Sequence, residues 1–325
     1  MTGRLLIDGL QCGRYDRQIL TDLRDAGLSA VTITASFWES ALETMDVLAK
    51  WNDLLRDNSD VAVLVRTGDD VVAAQESGRV GIVLGTQNSS LFDDRLGFVE
   101  HFWNMGVRIV QLTYNNQNAI GGSCYETADS GLSRFGVEVV AEMNRVGILV
   151  DLSHVGDRTS VDAIERSSRP VAINHANSRA IYDHPRNKGE RVLDALVAHD
   201  GVLGVCTYNN IAGSYAGDVK GAAELIVRHV ERLGIEHVAF GSDMSPGAPA
   251  DDLDWMRKGR WTRSEQHGAA LPGVPAPPEE WMDASAKVGE VADYLNHSGL
   301  LAPADVDAVF GGNWLRLYRE GFVAA

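Results

Sequence analysis

The chain has 325 residues, 45% of them hydrophobic and 23% charged, with 29 basic against 45 acidic side chains and a net charge of −16. That composition excludes a disordered chain, a coiled coil and a collagen-like fibre, and so acidic a surface excludes nucleic acid as a partner. No apolar run approaches the ~18 residues of a membrane helix, and Met1-Thr2-Gly3-Arg4 enters a strand-like run without the features of a secretory leader, so a cytoplasmic enzyme or binding protein with no membrane partner is expected.

Short apolar runs recur along the chain: 5–10 (LLIDGL), 30–35 (AVTITA), 81–86 (GIVLGT), 107–114 (VRIVQLTY), 148–154 (ILVDLSH), 170–175 (PVAINH), 201–208 (GVLGVCTY) and 237–243 (HVAFGSD). Near-continuous apolar strands separated by amphipathic segments read as buried parallel strands in βα units. Eight such units predict a closed (β/α)₈ barrel of TIM type over residues 1–325, a single domain. The competing open doubly wound sheet lacks a G-x-G-x-x-G after its first strand. Between strands, the spacing predicts a helix over 133–146 with Phe135, Val139, Val140 and Met143 on one face, Ser133 as N-cap and Gly147 as stop. Shorter helices are predicted over 157–166 and 192–199. Residues 244–280 break the pattern, holding Pro246, Pro249, Pro272, Pro275, Pro277 and Pro278 with Trp255 and Trp261. Such a stretch after the eighth strand is either a packed surface excursion or a lid over the catalytic face. Helical segments at 283–298 and 303–308 close the chain.

In these barrels chemistry sits where the strands end. His154 and His175 end consecutive strands, and Asp243 ends the eighth. Neutral imidazoles on neighbouring strands can share one zinc-like ion, and the carboxylate can ligate or act as general base. Asp8 reads as a strand-end cap or a support for a ligand. Tyr114 and Tyr208 read as oxyanion donors or as rim aromatics. Cys12 reads as a thiolate or as an inert buried side chain. It, Cys124 and Cys206 form no C-x-x-C pair, so neither a disulfide framework nor a zinc ribbon is indicated. The loop 177–187 carries Arg186, suited to a substrate carboxylate or to a tie with Asp183. His101, His229 and His297 fall in helical patterns and read as surface or core residues.

The stretch 131–154 (GLSRFGVEVVAEMNRVGILVDLSH), Asn174-His175, His184-Pro185-Arg186-Asn187, Gly241-Ser242-Asp243 and Gly311-Gly312-Asn313-Trp314 together resemble the membrane (renal) dipeptidase family of zinc metallopeptidases and its cytoplasmic bacterial relatives. The resemblance covers almost the whole chain. It implies a (β/α)₈ metallo-dependent hydrolase fold, hydrolysis of dipeptides or related amides, a two-zinc centre and a homodimer. It also implies roles: His154 and His175 hold one metal, Asp243 stands in the base position and Arg186 in the carboxylate-binding position. The family's first strand ends Asp-Gly-His-x-Asp, where His and the second Asp bind the other metal. Here Leu10 and Cys12 stand in their places, Gln87 replaces the bridging glutamate, and Tyr114 replaces a substrate-contacting histidine. Leucine cannot ligate, and a neutral amide does not bridge two ions. The expected centre is therefore mononuclear: one divalent ion, zinc, on His154 and His175 with Gln87 or Asp243 completing the shell. The expected substrate is a dipeptide or an N-acyl amino acid. The alternative is a catalytically altered barrel that binds an amino-acid-like ligand.

Overall fold

The apolar runs fold as parallel strands around one axis. The computed structural model describes residues 3–260, 263 and 281–323. Its strands are β1 (Ile7–Gln11), β2 (Ala30–Thr34), β3 (Ala62–Leu64), β4 (Val80–Thr86), β5 (Val107–Gln111), β6 (Leu149–Asp151), β7 (Ala172–Ala176), β8 (Val202–Val205) and β9 (Val238–Phe240). Hydrogen bonding runs β1-β2-β4-β5-β6-β7-β8-β9, and all of these pairs are parallel. Those eight are the eight predicted runs. β3 was not expected: it pairs with Val80–Ile82 of β4, below the point where β5 joins at Leu84. Three residues are too few for a periodicity signal.

The ring is nearly closed at its C-terminal rim by the segment after β9. Asp243 N donates to Leu10 O (3.1 Å), Cys12 N to Met244 O (2.8 Å) and Arg14 N to Pro246 O (2.9 Å). Asp8 clasps the same seam. Its carboxylate accepts from Ser242 N (2.8 Å), Ser242 Oγ (2.6 Å) and Gln11 Nε2 (2.9 Å). Burial pushes the Asp8 carboxyl up, and the bonds from Ser242 and Gln11 pull it down. This is the cap reading of Asp8.

The opposite mouth is plugged by the C-terminal helix Asn313–Gly321. Trp314, Leu317, Tyr318 and Phe322 pack against Ile7, Val83, Ile109 and Val202 inside the strands. Trp314 Nε1 donates to Phe240 O (2.9 Å), and the Tyr318 hydroxyl meets Thr32 Oγ1 (2.9 Å). Gly9 is required here, because a Cβ on it would sit 2.5 Å from the indole. Trp314→Ala should destabilise the protein by about 3–5 kcal/mol, read from urea unfolding, because it removes a fully buried indole and leaves a cavity in the plug.

The helix Arg134–Val146 forms as predicted. Ser133 Oγ accepts from Gly136 N (2.9 Å), and Gly147 ends it at φ 89°. The helix Asp157–Arg166 keeps its predicted bounds, and that predicted at 192–199 runs Glu190–Ala198. After β9 comes a helix not anticipated, Ala250–Lys258, a proline-free run inside the proline-rich stretch. Pro249 is its N-cap, where no amide hydrogen is needed. Trp261, Pro272, Pro275, Pro277 and Pro278 lie outside the described residues. The closing helices run Ala286–Ser298 and Pro303–Asp307. No helix among the described residues is long and apolar enough to cross a membrane.

Candidate active site

β6 and β7 bring their terminal histidines together at the rim. His154 and His175 are buried, with Nε2 atoms 3.0 Å apart. The other nitrogen of each ring faces an amide oxygen: His154 Nδ1 lies 2.5 Å from Asn115 Oδ1, and His175 Nδ1 lies 2.5 Å from Asn174 Oδ1. An amide oxygen only accepts, so each Nδ1 carries the proton. That leaves two Nε2 lone pairs aimed at each other, an arrangement that a cation between them satisfies. Burial holds both imidazoles well below their ordinary value, and the Arg186 guanidinium pushes in the same direction, so both are neutral at pH 7.

Asn115 reaches His154 because its backbone is left-handed, at φ 58°. Asparagine tolerates that region better than most residues. The preference was a usable signal in the sequence, but the role of Asn115 was missed there.

Among the described residues no group of three or more His, Cys, Asp and Glu is placed to hold a metal. Leu10 is buried, and Cys12 packs with Phe37, Trp38 and Tyr114 in an apolar cluster that Met256 also touches. Gln87 is buried and donates from Nε2 to Thr34 Oγ1 (3.0 Å). Tyr114 packs against His154, ring centroids 4.3 Å apart and planes tilted by 36°, and meets Trp38 edge-on at 5.2 Å. Burial pushes its hydroxyl well above the ordinary value, so it is a neutral donor. Trp255 of the helix Ala250–Lys258 meets Phe37 edge-on at 6.3 Å, so the start of the proline-rich excursion forms part of the wall. The aromatic pair Phe37-Trp38 was not singled out from the sequence.

Asp243 joins the same group of side chains. Its Oδ1 lies 3.8 Å from Cys12 Sγ, which lies 3.2 Å from Ser245 Oγ. Contacts therefore run from Asp243 through Cys12 and Tyr114 to His154. The backbone of Asp243 is left-handed, φ 63°, held by its bond to Leu10. Burial pushes its carboxyl up to about 7, against the pull of Arg186.

Arg186 is anchored beside the ends of β6 and β7. It is 3% exposed, and it donates to Ser153 O (2.5 Å) and His175 O (2.8 Å). The tie is thus to the ends of β6 and β7 and not to Asp183. Lys188, also buried, donates to Val155 O (2.6 Å), and burial lowers it to about 8. Neither cation makes an ion pair with a carboxylate among the described residues. Tyr208 is placed at the rim, its hydroxyl accepting from Asn210 Nδ2 (2.8 Å) and Arg257 Nη2 (2.7 Å).

The loop that carries Arg186 hangs on a core histidine. His229 Nε2 accepts from Ser178 N (2.9 Å), while Nδ1 donates to Leu225 O (2.8 Å). Burial lowers it to about 4 from 6.5. Below pH 6.5 the unfolded chain binds a proton that the folded chain refuses. Stability should therefore fall as pH drops from 6.5 toward 4, by up to about 3 kcal/mol from this group. Urea unfolding across that range should show the slope, and His229→Gln should remove one proton's share of it; an unchanged slope would count against the assignment.

A parallel-strand barrel that gathers two neutral imidazoles, a buried carboxyl and a buried guanidinium at its C-terminal rim has the TIM-barrel fold of the metallo-dependent hydrolases. More closely, a family model for the membrane dipeptidases (peptidase family M19) matches residues 20–258, and the chain belongs to that family. It is 32% identical over 209 residues to the uncharacterized dipeptidase C965.12 of Schizosaccharomyces pombe, covering 62% of this chain and 50% of that protein. It is 31% identical over 208 residues to dipeptidase verJ of Clonostachys rogersoniana, covering 63% and 54%. The chain thus spans about half the length of the curated relatives it matches. The crystal structure of an amidohydrolase from Pseudomonas aeruginosa superposes with a TM-score of 0.91 at 34% identity, over 98% of this chain and 97% of that one. A metallo peptidase from Rhodobacter sphaeroides, liganded with a phosphinate mimic of the dipeptide L-Ala-D-Ala, shares the fold at a TM-score of 0.76 and 16% identity, over 98% and 100%.

Proposed function

We propose that the chain is a dipeptidase-like hydrolase that cleaves a dipeptide or N-acyl amino acid at a site holding one divalent ion. The observation that carries this reading is the pair of Nε2 lone pairs converging at 3.0 Å, with each Nδ1 committed to an amide oxygen. His154 and His175 would hold the ion, zinc by the preference of neutral imidazole for it, and Gln87 would offer a third donor through its amide oxygen. A bound divalent ion supplies Lewis acidity that polarises a scissile carbonyl and brings a water toward a pKa of ~7.

The chain's own groups do the rest. Arg186, fixed by two backbone carbonyls, presents its remaining N–H groups to the substrate carboxylate. Asp243, titrating near neutrality, takes a proton from the attacking water and delivers it to the leaving amine. Tyr114 donates from its neutral hydroxyl to the developing oxyanion. Tyr208 lines the substrate end of the rim.

Elemental analysis of protein purified without a chelating tag tests the stoichiometry: one tightly held ion per chain is expected, with dipeptide hydrolysis lost on chelation and restored by zinc. Two ions would overturn the mononuclear site, and hydrolysis by metal-free protein would overturn the mechanism.

A further inference from the structure

Behind the imidazoles lies a buried carboxylate to which the mechanism above gives no role. Asp151, at the end of β6, is 1% exposed. Its Oδ1 accepts from Asn174 N (2.8 Å) and meets Ser153 Oγ (2.7 Å). The same Ser153 Oγ lies 2.8 Å from Asn174 Oδ1 and accepts from His175 N (3.2 Å). Asn174 Oδ1 is the partner of His175 Nδ1. One chain of contacts therefore joins Asp151 to the ring of His175. Its other oxygen, Oδ2, is buried and has no hydrogen-bond partner.

An orphaned carboxylate oxygen is costly unless charge nearby compensates it. Arg186 and Lys188 supply some of that charge, since both pull the Asp151 carboxyl down against the burial that raises it. Both are buried and bonded to backbone carbonyls. A divalent ion on His154 and His175 would add to an already positive region, and ion binding there needs a fixed negative charge.

We propose that Asp151 is the buried counter-charge of the ion site, a positioning residue that acts on His175 through Ser153 and Asn174 and sets the affinity for a divalent cation. This rests on the reading of His154 and His175 as the ligands. Asp151 touches neither ion nor substrate. It lowers the cost of bringing a dication beside Arg186 and Lys188, and it orients the group that fixes the tautomer of His175.

The test is calorimetric titration of the demetallated full chain with Co²⁺ and Zn²⁺, with the visible Co²⁺ spectrum as a second readout. Asp151→Asn retains an oxygen to accept from Ser153 and Asn174 and removes only the charge. It should weaken ion binding by about 10- to 100-fold in folded protein. Lys188→Met removes a neighbouring cation and should tighten binding, and the double variant should recover part of the loss. A Co²⁺ spectrum of unchanged shape in Asp151→Asn at saturation would support an effect of charge on affinity. Ion binding by folded Asp151→Asn within about twofold of the parent would overturn the proposal. If that variant does not fold, Lys188→Met decides alone: unchanged affinity overturns the proposal. A parent chain that takes up no ion overturns the ligand reading itself, whereas a parent that binds tightly with insensitive variants overturns only the role of Asp151.

Discussion

His175→Ala should lose the ion and the hydrolytic activity together while keeping the fold. The ring provides one of the two converging Nε2 atoms, and without it His154 alone faces the site. The tertiary contacts near it survive, because Arg186 bonds the backbone oxygen of residue 175, not its ring. Ser153 Oγ still reaches Asn174 Oδ1. The expected loss in kcat/KM is about a thousandfold or more, equivalent to about 4 kcal/mol of transition-state stabilisation. Metal content and turnover, measured on the same preparation, decide the matter. His154→Ala should behave alike, and metal-free His175→Ala that still turned over substrate would remove the imidazole pair from the mechanism.

Replacing Arg186 should separate binding of the substrate carboxylate from binding of the ion. The guanidinium is buried and makes no ion pair with a protein carboxylate among the described residues, so a substrate carboxylate would meet a desolvated charge. Removing one partner of such a pair costs about 2–5 kcal/mol, so Arg186→Met should lower kcat/KM by roughly 30- to 5,000-fold, mainly through KM. The penalty should nearly vanish on a C-terminally amidated substrate, which has no carboxylate to lose. Arg186→Lys should recover little, because an ammonium cannot span Ser153 O, His175 O and a ligand together. Metal content should hold in Arg186→Met, since taking away a neighbouring cation eases ion binding, and in Arg186→Lys, where the local charge is unchanged. Equal losses on the acid and amide substrates would make Arg186 a structural tie only.

The strands of the barrel were legible because buried parallel strands carry apolar side chains on both faces, and 107–114 or 201–208 reads that way without context. The helix Arg134–Val146 was legible for a local reason as well: Ser133 and Gly147 satisfy its ends with their own chemistry. His154, His175 and Asp243 could be picked out because each directly follows or ends an apolar run. The departures at Leu10, Cys12 and Gln87 are expectations that come from the family resemblance and not from any local pattern in the chain.

Other features depend on partners distant in sequence. Asn115 binds His154 across 39 residues. Trp255 reaches Phe37 from a helix hidden within a proline-rich stretch. Trp314 plugs the barrel beneath Gly9, where its place in a family motif did not reveal whether it served fold or site. Eight strands in order, the ends of the helix Arg134–Val146 and the residue types at the strand tips follow from the chain alone, because hydrophobic burial and capping are short-range constraints. Which nitrogen of each histidine is free, what holds Arg186, and which buried charges oppose one another depend on the folded barrel. Those properties are set by distances of a few ångströms between strand ends that the chain brings together only when the barrel closes.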